Sequence, residues 1–97
     1  MVAYLVIDID VHDPEGFKEY SENVSPFIAK HGGRVLARRG AAFEVIVGDF
    51  TPHGPAILEF PDRQSIRDLR DDPDYQALIE IRNRTTKTIS FAVDGID

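Results

Sequence analysis

The chain has no cysteine among its 97 residues, no tryptophan and one methionine. Without cysteine there is no disulfide framework, no thiolate nucleophile and no zinc–thiolate site. A reducing, cytoplasmic setting is therefore expected. Long hydrophobic runs are missing too: no apolar stretch approaches the ~20 residues that span a bilayer, so no membrane partner is expected. The apolar start is cut short by Asp8 and carries no basic leader, so it reads as a strand rather than a secretory signal. Positive charge is scarce. Eleven Lys and Arg face seventeen Asp and Glu, a formal net charge of −6. No nucleic-acid partner is expected for such a chain, because phosphate affinity comes from clustered cations. The three histidines, His12, His31 and His53, show no H-x-x-x-H spacing, and no metal site is expected. There is no G-x-S-x-G, Gly-rich phosphate loop or dinucleotide fingerprint. Nothing specifies a flavin or a heme, and no cofactor is expected.

What is present is a globular composition, 42% hydrophobic, of a length that supports one domain over residues 1–97. Met1 to Val11 alternates as a strand does. One face carries Ala3, Leu5, Ile7, Ile9 and Val11; the other carries Tyr4, Val6, Asp8 and Asp10. Asp13-Pro14-Glu15 is a helix start, and Phe17, Tyr20, Val24, Phe27 and Ile28 form its apolar stripe. Pro26 should bend this helix, and Gly32-Gly33 should close it. Val35–Arg39 and Phe43–Val47 read as short strands joined near Gly40. Residues 48–55 read as a loop and Ala56–Phe60 as a strand. Asp62–Asp71 is helical, with Ile66 and Leu69 on one face. Asp72 is expected to cap a new helix that carries Tyr75, Leu78, Ile79 and Arg82. Thr88–Val93 is the last strand.

This order is βαββαβ, with one strand drawn out into a hairpin-like extension. It predicts an α+β ferredoxin-like sandwich, with a parallel central pair formed by the first and third strands. Parity places Leu5, Ile7, Ile9, Leu58, Phe60, Ile89, Phe91 and Val93 against the helices. Tyr4, Val6, Asp8, Leu36, Arg38, Ile57, Glu59, Thr88, Ser90 and Ala92 fall on a face with no helix to cover it. An apolar patch of this kind marks an interface, and the simplest cover is a second copy. A homodimer is thus expected, with a small polar and aromatic cavity on the sheet face.

The chain resembles the bacterial domain of unknown function 1330, a family of small ferredoxin-like proteins that form dimeric α+β barrels. The carriers are A-Y-L-V-I-D-I-D-V at 3–11, D-P-E-G-F at 13–17, Tyr20, H-G-G-R at 31–34 and A-R at 37–38. E-V-I-V-G-D-F at 44–50, L-E-F-P at 58–61, D-P-D-Y-Q at 72–76 and Arg82 complete the series. The resemblance implies the fold and the dimer and little chemistry. The family often has Trp where this chain has Phe50, and an aromatic where it has Leu69-Arg70. The same barrel serves small heme-degrading and quinol-forming monooxygenases, an analogy of fold alone.

Candidate chemistry gathers on the uncovered face. Asp8 and Glu59 should project from adjacent strands, with Tyr4 beside them and Arg38 within reach of Glu59. Two close carboxylates with a cation suit acid–base work, a small polar ligand or a weak metal site. They equally suit a structural ion pair. Asp10 and His12 end the same face, most simply as solvated groups. Tyr75 and Arg82, seven residues apart, share a helix face and can clamp an anionic or carbonyl ligand at the cavity rim. Three readings follow. The first is a homodimer that binds a small molecule. The second is a cofactor-free monooxygenase or isomerase acting on a small aromatic or carbonyl compound. The third is an interaction module with no ligand.

Overall fold

Helix boundaries follow from local chemistry. In a computed structural model, which describes residues 1–96, strand β1 (Ala3–Val11) leads into helix α1 (Pro14–Asn23). Asp13 caps this helix by accepting from the Gly16 N–H at 3.2 Å, and Pro14 sits at the first helical position, where no N–H is needed. The stripe continues in a separate helix, α2 (Ser25–Lys30). Pro26 cannot donate into a continuous ladder, so the two helices break at Val24. Gly32 then takes a φ of +80°, which terminates α2 cheaply. Strands β2 (Arg34–Ala37) and β3 (Pro55–Phe60) follow, then α3 (Arg63–Asp71), α4 (Gln76–Thr85) and β4 (Thr86–Asp94). Asp62 caps α3, accepting from the Ser65 N–H at 2.8 Å.

The sheet order is β2-β3-β1-β4, and every pairing is antiparallel. The expected parallel β1–β3 pair is therefore corrected. A split βαβ unit leaves a one-strand gap between β1 and β2, and β3 fills it running the opposite way. The α+β ferredoxin-like arrangement itself is as expected. Phe60, Ile9, Leu58 and Ala56 of the sheet bury against Phe17, Tyr20, Leu69 and Leu78 of the helices. The Thr85 carbonyl accepts from the His12 and Asp13 N–H groups, which locks the β1–α1 corner onto the α4–β4 corner. No helix among the described residues is long and apolar enough to cross a membrane.

Three local expectations fail. Phe43–Val47 forms no strand. A strand needs a ladder partner, and the free edge of β2 has none in this segment. Its apolar side chains stand exposed, Val47 by 90%. Asp72 does not cap α4, whose N-cap is Tyr75. Its buried carboxylate accepts instead from Lys30 Nζ and His31 Nε2, both at 2.8 Å, and from the Asp74 N–H at 2.9 Å. It ties α2 to the α3–α4 turn. Finally, β4 is inverted. Ile89, Phe91 and Val93 lie opposite Asp8, Val6 and Tyr4, on the face away from the helices. Ser90 and Ala92 lie opposite Ile7 and Leu5 and turn toward the helices.

Candidate functional site

The open sheet face does not assemble the expected constellation. Tyr4 is opposite Glu59, but Asp8 is opposite Pro55. The two carboxylates are thus four residues apart along the strands, roughly 13 Å. Asp8 anchors the loop before β3: its Oδ1 accepts from the His53 N–H at 2.8 Å and the Gly54 N–H at 2.9 Å. Its burial alone would raise its pKa, but these donors and the His53 ring together hold the carboxyl below its ordinary value. Gly54 is needed there, because a Cβ would lie 2.6 Å from the Ile9 carbonyl oxygen. Glu59 pairs with Arg34 at 2.8 Å, not with Arg38.

The Arg38 expectation fails because of a bulge. Arg34 and Val35 pair in step with Glu59 and Leu58, but Ala37, not Leu36, is opposite Ile57. One extra residue reverses the alternation, and Arg38 lines the cavity on the helix side of the sheet. Asp10 and His12 sit 3.4 Å apart, with His53 Nε2 3.7 Å from Asp10. Asp8, Asp10, His53 and Lys87 edge a small hollow of about 310 Å³. Among the described residues no group of three or more His, Asp or Glu is placed to hold a metal ion.

The larger space lies between the layers. Ser90 and Ala92 are small and exposed, and the helix side of β4 opens into a cleft of about 730 Å³, lined by Leu5, Ile7 and Leu58 of the sheet and by residues of α1, α3 and α4. Tyr75 and Arg82, seven residues apart on one helix face, both line it, on the helix side of the sheet and not on the open face where the cavity was expected. So does Tyr20, seen in the sequence only as a core residue. The Tyr20 and Tyr75 hydroxyls are 2.6 Å apart and buried. Whichever donates, the other keeps its proton for an occupant. Burial above all, and then Tyr20, raise the Tyr75 pKa well above its usual value; the nearby Arg82 charge offsets only part of this. Tyr75 therefore remains a neutral donor. Phe17 stacks on Tyr20 at 5.4 Å and Phe27 tilts against Tyr75 at 5.3 Å, which fixes the aromatic wall. Arg39 lies over the Phe17 ring at 5.1 Å. Arg82 Nε is buried without a hydrogen-bond partner.

Of the expected site residues, Tyr75, Arg82 and Arg38 thus meet at this cavity, while Tyr4, Asp8 and Glu59 lie on the far side of the sheet. The cavity offers apolar walls and hydrogen-bond donors. Such a lining suits an occupant with acceptor oxygens.

Comparisons with known proteins agree with the fold. No curated protein matches the chain in sequence. Among solved structures, a protein of unknown function from Rhodopseudomonas palustris, RPA0582, is similar with a TM-score of 0.79 and 14% identity, over 99% of this chain and 83% of that one. SnoaB, a cofactor-independent oxygenase from Streptomyces nogalater, is similar at 0.65 and 11%, over 99% and 94%. A dabb family protein with a ferredoxin-like fold from Mesorhizobium loti is similar at 0.58 and 13%, over 99% and 98%. These likenesses share the fold. Sequence agreement over residues 2–96 goes further, and the chain belongs to the family described as domain of unknown function (DUF1330).

Proposed function

We propose that this protein binds a small, largely apolar molecule between its helices and its sheet, and that it does so as a homodimer. The observation that carries the binding reading is the inversion of β4. Small side chains face the helices and bulky ones face out, which leaves an open cleft beside the helices where bulkier side chains would otherwise fill the space. The resulting 730 Å³ falls within the range typical of small-molecule sites, about 300–1,000 Å³. The same inversion supports the dimer: Ile57, Ile89, Phe91 and Val93 are exposed on one sheet face, and a two-layer fold buries such a face against a partner.

A cofactor-free monooxygenase or isomerase remains the second reading, and the likeness to SnoaB supports it only at the level of fold. A proton-abstraction step would need a positioned general base. Among the described residues the cavity is lined by no Asp, Glu or His, and Tyr75 is a poor base. Binding is the better-supported reading. Calorimetric titration with 1-naphthalenemethanol tests it. The protein should bind this probe, and the cavity-filling variant Ala92→Phe should not. Equal binding by both proteins would contradict the assignment. Oxygen uptake with an aromatic hydroquinone would favour the second reading.

A further inference from the structure

The charge of the occupant follows from the cavity lining, and this inference rests on the binding reading above. Six of the chain's eight arginines line the cavity: Arg38, Arg39, Arg63, Arg67, Arg70 and Arg82. In a chain of net charge −6, the cavity lining thus carries six arginines and no Asp or Glu. Three have partners elsewhere. Arg63 donates to Asp94 at 2.8 Å, Arg70 to Asp71 at 2.9 Å and Arg67 to the Gln64 amide oxygen at 2.8 Å. Arg38, Arg39 and Arg82 form no ion pair among the described residues. The buried Nε–H of Arg82 is the sharpest case. Leaving a charged donor dry and unpaired is costly, and an acceptor supplied by the occupant removes that cost.

We infer that the cavity takes an aromatic or similarly apolar carboxylate. Its body lies between the Leu5, Ile7 and Leu58 side chains and the aromatic wall, and its carboxylate accepts from Arg82. The free proton of the Tyr20–Tyr75 pair supplies a further donor. A planar guanidinium suits a carboxylate geometrically as well as electrostatically.

The test is calorimetric titration of the wild type, Arg82→Gln and Arg38→Gln with 1-naphthoate and with neutral 1-naphthalenemethanol. The wild type should bind the carboxylate tighter than the alcohol by about tenfold or more. Arg82→Gln should erase that preference. Should Arg82→Gln fail to fold, Arg38→Gln should still reduce the preference. Equal binding of the two probes by the wild type would overturn the anion inference and leave the cavity reading intact. A preference that survives in both variants would overturn it too. Failure of both probes to bind would remove the cavity reading and the inference with it.

Discussion

Phe60 and Phe91 are both strand phenylalanines, yet Phe60 is 1% exposed and Phe91 62%. Phe60→Ala should cost ~3–5 kcal/mol in urea denaturation, because it leaves a cavity in the core. Phe91→Ala should cost the isolated chain less than about 1 kcal/mol, with a larger loss wherever the dimer forms. A large loss from Phe91→Ala in the monomer would return β4 to the core. Asp72 makes the pH argument. Its donors, Lys30 first and then His31, hold its folded-state pKa well below the ordinary 3.8. The unfolded chain therefore takes up this proton first. The stabilisation is present above 3.8 and is lost as the pH falls toward the folded value. Urea midpoints of wild type and Asp72→Asn should differ at neutral pH, and the gap should narrow steadily as the pH falls below about 4. A pH-independent gap would contradict the linkage. Residue pairs on one element were legible in the sequence: Tyr75 and Arg82 share a face because seven residues make two helical turns. Arg38 was not, since a single bulge at Leu36 reversed its side and no local residue pattern announced it.

Among the elements, helix ends were the easiest to read. Asp13-Pro14, Asp62 and Gly32 act where their chemistry dictates, and Asp13→Ala should lower stability by about 1 kcal/mol in thermal or urea melts. Strands were harder. Phe43–Val47 has strand-like composition but no edge to pair with. Bulk alone orients T-I-S-F-A-V with Ile89, Phe91 and Val93 toward the helices, whereas the register with β1 places Ser90 and Ala92 there. The cavity predicts an unusual response to enlargement at Ala92. A phenylalanine has room to enter, so Ala92→Phe should leave urea stability unchanged or raise it. A closed core would instead lose about 1–3 kcal/mol from overpacking.

For the whole molecule, the βαββαβ order carried the fold from sequence to structure, since two capped helical regions between alternating strands leave few other topologies. The site was legible only in part. It lies between the layers, and its existence depends on which way β4 faces. The homodimer is the molecular-scale prediction: sedimentation at micromolar concentration should give twice the 10.9 kDa chain mass, and Phe91→Glu should give the monomer. A wild-type monomer would leave the open face unexplained. The cavity assignment is tested most directly by backbone amide NMR shifts on titration with 1-naphthoate and, in parallel, 1-naphthalenemethanol. The shifts should centre on Tyr20, Tyr75, Arg82, Ser90 and Ala92. Shifts centred on Tyr4, Val6, Ile57 and Val93, or no shifts with either probe, would contradict it.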